Sequence, residues 1–278
     1  MTVMRRIGLN STALALIPLA IALNIAGGQL IKTLRLPIYL DSIGTVLTGA
    51  LFGPWVGLLT GLLSNTIWTL IGLDAYALSF APVAGAIGLI AGFAGRAGLF
   101  QRESPRWVSA FVGALFASAL TLLVMAFVYA TPNPDDPSLL VFASPQTLFA
   151  NPALLMILVS LAFIGGVGGF MLIKRGGYIG LVGIGTGIIA AILSAPIATY
   201  VFGGLTGGGT DFLVAFFQST GASILQSAFA QGVTSDPFDK LTSFMVVWLI
   251  LQSLPRRVLS RFPYGLSSDP LPREGIRV

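Results

Sequence analysis

The sequence predicts an all-α fold, a polytopic transmembrane helix bundle of about eight spans with both termini cytoplasmic, and three observations carry that expectation. Of 278 residues, 55% are hydrophobic and 9% charged, where a soluble domain carries roughly a quarter charged. The charges divide the chain into long uncharged runs, 7–31, 42–73, 75–95, 107–134, 137–173, 176–210, 212–235 and 241–255. Those runs are continuously apolar. About 20 such residues cross a bilayer as a helix, and a barrel would instead alternate polar and apolar positions.

Taken in order, the predicted spans are 11–30, 38–52, 54–73, 77–95, 107–130, 152–173, 177–202 and 240–258. The second is short, and 38–73 bends at Gly53-Pro54, because proline removes a helical hydrogen bond. An even number of spans puts both ends on one side. Twelve of the fifteen Lys and Arg then fall on that side, and only Lys32, Arg35 and Lys240 fall on the other; the excess marks the cytoplasm. Segment 204–236 is predicted to be an outer lid, re-entrant or interfacial. A helix over 211–231 gathers Leu213, Val214, Phe217, Ile224 and Leu225 on one side and Ser219, Ser223, Gln226 and Ser227 on another, but a full crossing would carry Arg256 and Arg257 outside. Residues 1–262 therefore form a single integral membrane domain, followed by a flexible cytoplasmic tail, 263–278, with Pro263, Pro270 and Pro272. Arg5-Arg6 and the apolar run behind it resemble a leader, but the run is long enough to anchor and is expected to be retained.

The chain lacks both Cys and His. That excludes disulfides, thiolate and imidazole metal sites, and the Ser-His-Asp and Cys-His catalytic arrangements, so no enzyme, metal or cofactor is expected. A pI near 9.9 does not signal nucleic acid, because the cations sit at the ends of apolar runs and the partner they fit is the lipid bilayer. No phosphate-binding loop is present, since the glycine-rich run 203–209 lacks a lysine.

Within the runs, Gly49, Gly53, Gly57 and Gly61 repeat every four residues, and Ala84, Gly88 and Gly92 form a second stripe. Such stripes serve close helix packing within the chain or a sliding contact with a partner. Asp41 either binds a polar ligand group or caps the second helix. Asp236 and Asp239 flank Pro237 as a turn and cap before the last span. No carboxylate is expected deep in the membrane, which leaves little sign of an energy source of the chain's own. An outward pocket with aromatic walls and a few polar groups would suit a small, partly planar organic molecule; the candidate residues are Asp41, Ser42, Asn65, Trp68, Thr69, Tyr76, Tyr200, Asp211 and Gln218. Gly57, Leu63, Ser64, Ile67 and Thr69 recur as Gly187, Leu193, Ser194, Ile197 and Thr199, at a constant offset of 130.

The segment from Leu36 to Asn65, with Leu40-Asp41-Ser42, Gly53-Pro54 and Gly57-x-x-x-Gly61-x-x-Ser64-Asn65, resembles the substrate-specific S component of energy-coupling factor (ECF) transporters. In that family a short second helix ends in Gly-Pro and runs into a third helix patterned Gly-x-x-x-Gly-x-x-Ser-Asp/Asn. The resemblance implies a membrane subunit that captures a vitamin or similar micronutrient outside and passes it inward, driven by a transmembrane coupling protein and cytoplasmic ATPases. It also implies a small-residue partner contact on the first helix, here Ala22-x-x-x-Ala26 or the imperfect Ala13-x-x-x-Ile17, joined by Gly57 and Gly61. The family typically has six spans rather than eight. Its metal-importing members use an N-terminal histidine that this chain lacks, so an organic substrate is expected. A membrane ligand-sensing or scaffold module and an autonomous secondary carrier are the competing function classes.

Overall fold

The computed structural model describes residues 11–34, 36, 38–129, 131–132, 140–141, 150–172 and 176–266. These form α1 (Ser11–Thr33), α2 (Ile43–Phe52), α3 (Pro54–Leu70), a 3-10 turn (Ala77–Phe80), α4 (Ala81–Arg96), α5 (Arg106–Val128), α6 (Pro152–Leu172), α7 (Gly177–Phe202), α8 (Asp211–Ser219), α9 (Ile224–Ser253) and α10 (Arg256–Leu259). Two-residue strands β1 (Thr131–Pro132) and β2 (Leu140–Val141) make one antiparallel pair. The predicted all-α class holds. Among the described residues four helices are long and apolar enough to cross a membrane, Ser11–Thr33, Ala77–Arg96, Pro152–Met171 and Gly177–Phe202, with mean hydropathy of 1.9 to 2.3. On α6 even Met156, Phe163 and Met171 are exposed, which suits hydrocarbon and not water.

The chain forms two compact units. The first comprises residues 1–28, 40–103 and 243–278, and the second comprises 29–39 and 104–242. In the first, the break between α2 and α3 falls where the sequence predicts it. Gly53 takes φ 94°, a conformation that favours glycine, and Pro54 opens α3 at a position that has no helical N–H bond to lose. The glycine stripes serve packing inside this unit. A Cβ on Gly57 would strike the Gly88 carbonyl, one on Gly61 the Ala84 carbonyl, and one on Gly92 the backbone of Pro54, so α3 and α4 meet backbone to backbone.

The second unit repeats the device with other helices. A Cβ on Gly113 would strike the Gly165 carbonyl, joining α5 to α6, and one on Gly187 would strike Pro237, joining α7 to α9. The offset of 130 aligns Gly187 with Gly57, yet in packing Gly187 plays the part of Gly92, each seated on a partner helix's proline. The recurrence thus reflects glycine packing and not a shared register.

Two expectations are corrected here. The helix predicted over 211–231 is two helices, α8 ending before Gly221 (φ 91°) and α9 beginning after Ser223. Ser223 and Gln226 form a reciprocal capping box: Ser223 N–H donates to Gln226 Oε1 at 2.9 Å, and Gln226 N–H donates to Ser223 Oγ at 3.3 Å. And Asp236-Pro237 does not end a segment. α9 runs through it for 30 residues, because a proline removes one backbone bond and the charged residues around it are partnered inside the fold. Tyr264 N–H donates to the Leu51 carbonyl at 3.1 Å; residues 267–278, like Arg5, Arg6, Arg35, Lys174 and Arg175, lie outside the described residues.

Candidate substrate site

In the second unit α9 presents polar residues at four-residue intervals, Ser227, Gln231 and Ser235, leading into Asp236, Asp239 and Lys240, and every one of them is at most 8% exposed. The connection between α1 and α2 brings Tyr39 against this stripe. Its backbone N–H donates to Asp239 Oδ1 at 3.0 Å, and its hydroxyl pairs with Thr210 Oγ1 at 2.8 Å and accepts from Gln231 Nε2 at 3.2 Å. The same Gln231 nitrogen donates to Ser235 Oγ at 2.7 Å, and the Ser235 hydroxyl donates to Asp236 Oδ1 at 3.1 Å. Lys240 forms an ion pair with Asp239 and lies 5.9 Å from the Tyr39 ring centroid. Glycine positions the charged turn: Gly183 on α7 would put a Cβ 2.8 Å from Leu241 Cα and 2.9 Å from the Lys240 carbonyl.

Charges this deep are stabilising only when paired and hydrogen-bonded. Burial, reinforced by the neighbouring Asp236, pushes the Tyr39 phenol well above its ordinary range despite the opposing hydrogen bonds from Thr210 and Gln231; it is therefore a neutral hydroxyl at physiological pH. Ser227, one turn before Gln231, is fully buried, and its hydroxyl has no hydrogen-bond partner among the described residues. A network of carboxylates, an ammonium, a phenol, an amide and a spare hydroxyl can recognise a small polar molecule through several directed hydrogen bonds.

The rim of this network explains Asp211. Its Oδ1 accepts from Thr206 N–H at 3.1 Å and from the Thr206 hydroxyl at 3.2 Å, and its Oδ2 accepts from Gly207 N–H at 2.7 Å. The carboxylate closes the glycine-rich turn and so sets Thr210 against Tyr39. Tyr200 is 77% exposed, and Gln218 is half-buried on α8.

The other six candidates belong to the first unit, where a neutral network dominates. Asn24 of α1 is fully buried. Its Oδ1 accepts from Gly44 N–H at 2.6 Å, and its Nδ2 donates to Thr45 Oγ1 at 2.8 Å and Ser64 Oγ at 2.9 Å, so a side chain from α1 caps α2 and ties in α3. The residue at the cap position of α2 is Ser42 and not Asp41, and Ser42 makes no side-chain cap bond; its hydroxyl reaches Ser243 Oγ at 3.4 Å. Asp41 is half-buried, following Leu40, whose φ of 47° is positive. Asn65 and Trp68 are buried, and the Trp68 ring lies on Gly28. Thr69 is occupied structurally, accepting from Leu78 N–H at 2.9 Å and donating to the Asp74 carbonyl at 2.8 Å, while Tyr76 is 40% exposed. Of the partner-contact candidates, Gly57 and Gly61 are buried in the α3–α4 packing and Ala13 is buried on α1, whereas Ala22 and Ala26 are exposed.

Tyr39, Gln231, Ser235, Asp236, Asp239 and Lys240 are not among the candidates expected from the sequence, yet the fold brings them together. Lys240 is no outer-loop cation, and carboxylates do lie buried in a long helix. The available signal was the four-residue polar spacing from Ser227 running into three charges within five residues, too strong a cluster for a simple turn.

No curated protein and no solved structure matches the chain. Residues 12–151, just over half of it, match the family described as ECF transporter, substrate-specific component. That stretch includes the Gly53-Pro54 break, the glycine-packed α3 and α4 and the Tyr39 connection, and the chain belongs to the family of ECF transporter substrate-specific components.

Proposed function

We propose that the chain is the membrane-embedded substrate-binding subunit of an ECF-type importer, taking up a small organic micronutrient such as a vitamin from outside the cell. Family membership supports the subunit role, and the buried Asp239–Lys240 pair with Tyr39 is the observation that carries the site. Tyr39, Thr210, Gln231, Ser235 and Asp236 complete the recognition surface, and Asp211 positions Thr210. Release inward would use a transmembrane coupling protein and cytoplasmic ATPases. The distribution of cations supports cytoplasmic termini in a multi-pass arrangement in a bacterial plasma membrane.

The deciding experiment is native mass spectrometry of the gently purified chain. A small organic molecule is expected to be retained by the wild type and lost from Asp236→Asn with the fold intact. Retention unchanged in that variant moves the site elsewhere, and an Asp41→Asn variant then tests the connection before α2. Co-purification with a coupling protein and paired ATPases tests the importer assignment.

Buried Asp236 and Asp239 favour a second reading, an autonomous carrier coupled to an ion, since membrane-depth carboxylates commonly serve that chemistry. Uptake into vesicles by the chain alone, without ATP, would decide for it.

A further inference from the structure

The corner where α9 ends carries a surface that substrate capture does not use. Pro255 opens α10, a single turn in which Arg256 and Arg257 are exposed and Leu259 is buried, and exposed Arg261 follows. Beyond it, Phe262–Leu266 folds back over the first unit. Tyr264 N–H takes up the Leu51 carbonyl at the end of α2, and the Phe262 ring meets Phe52 edge-on at 5.4 Å. Gln101 Nε2 donates to the Gly265 carbonyl. Arg96 reaches the same place, its Nε donating to Tyr264 Oη at 3.1 Å with the guanidinium 5.7 Å from the ring centroid. Tyr264 rests on Gly53, where a Cβ would lie 2.8 Å from the ring, and two residues further on Trp55 is 50% exposed.

Four exposed arginines, Arg96, Arg256, Arg257 and Arg261, therefore share a corner with an exposed tryptophan. The guanidinium groups of Arg256, Arg257 and Arg261 have no protein ion-pair partner among the described residues. An exposed indole prefers the headgroup level of a bilayer, and arginine forks match phosphate oxygens in pairs. We infer that this corner is a docking surface for the headgroup of an anionic phospholipid. Arg256, Arg257 and Arg261 grip the phosphates, Trp55 sits at headgroup depth, and the Tyr264 tie carries the engagement to the Gly53-Pro54 break. Three arginines at an anionic surface correspond to a preference of about a hundredfold over zwitterionic lipid.

The test uses the full chain in nanodiscs of phosphatidylcholine containing a minor share of phosphatidylglycerol, with retained lipid counted by native mass spectrometry. Phosphatidylglycerol is expected to be retained far above its share. The combined substitution Arg256→Gln, Arg257→Gln and Arg261→Gln, which alters exposed side chains only, should lower that enrichment at least tenfold at unchanged helix content. The matching triple lysine variant should keep most of it, as charge is the main attraction. Equal retention of the two lipids by the wild type overturns the inference, and so does an enrichment unchanged in the glutamine variant.

Discussion

The two units solve the same packing problem and fill their interiors with opposite chemistry. Each seats a glycine of one helix on the proline of another, Gly92 on Pro54 in the first unit and Gly187 on Pro237 in the second. Yet around Asn24 the first unit buries neutral groups whose hydrogen bonds run helix to helix, whereas around Tyr39 the second buries two aspartates and a lysine. A neutral network satisfied by its own helices specifies a fold. Buried charge is a poor way to gain stability, since a well-packed apolar substitute often does as well or better. Its presence in a long helix points to what the protein handles.

The comparison breaks most visibly at Asp239. Asp239→Asn leaves the Lys240 ammonium buried without its carboxylate, and a loss of about 3–5 kcal/mol is expected in chemical unfolding. Adding Lys240→Met to that variant should recover most of the stability and none of the ligand retention. Were the double variant as unstable as the single, or still loaded with ligand, the charged network would be structural and the contrast between the units would fail.

Asn24→Leu is the counterpart in the first unit. It leaves Gly44 N–H without its acceptor and removes the donor to Thr45 and Ser64, at a cost of about 2–3 kcal/mol. Ligand affinity per folded molecule should stay at the wild-type value, read by titration at a temperature where both proteins are folded. A loss of affinity beyond the loss of folded protein would draw the Asn24 network into the site.

Those two positions also mark how far the sequence could be followed. The helices of the first unit were legible because apolar run length and Gly53-Pro54 act locally, and the four-residue glycine repeat means close packing whichever helix answers it. The site was less legible, because part of its logic is non-local. Asp239 pairs with the adjacent Lys240 and Asp236 accepts from the adjacent Ser235, but the Tyr39 N–H that also meets Asp239 comes from 200 positions away, and nothing near Asp236-Pro237 announces that partner. Ser223-x-x-Gln226 was a local signal for the start of α9, obscured by the apolar periodicity of 211–231. Thr69 and Asp211, both candidates from the sequence, spend their side chains on hydrogen bonds to neighbouring backbone.

The shared device is the next place to press. Gly92→Ala and Gly187→Ala each force a methyl group into the backbone of a proline, and overpacking of this kind costs about 1–3 kcal/mol. Stability should fall similarly in both, measured by thermal unfolding in detergent. Ligand retention should fall further in Gly187→Ala, because Pro237 lies between Asp236 and Asp239. Equal retention in the two variants would mean that the charged turn tolerates displacement.

The smallest expected effect is at Tyr39, and pH separates its role from simple packing. Tyr39→Phe keeps the ring and removes the hydroxyl that joins Thr210 and Gln231, at a cost of about 1 kcal/mol near neutral pH. The folded protein holds the phenolic proton to a higher pH than the unfolded chain, whose tyrosines ionise near pH 10. Below about pH 10 both states bind it, and the wild-type advantage over Tyr39→Phe should be constant. Above that the unfolded chain releases the proton first, so the advantage shrinks as pH rises, at up to about 1.4 kcal/mol per pH unit. Unfolding of the two proteins compared from neutral pH into this alkaline range checks the sign, and a gap that widens with pH would show that Tyr39 is ionised in the folded site.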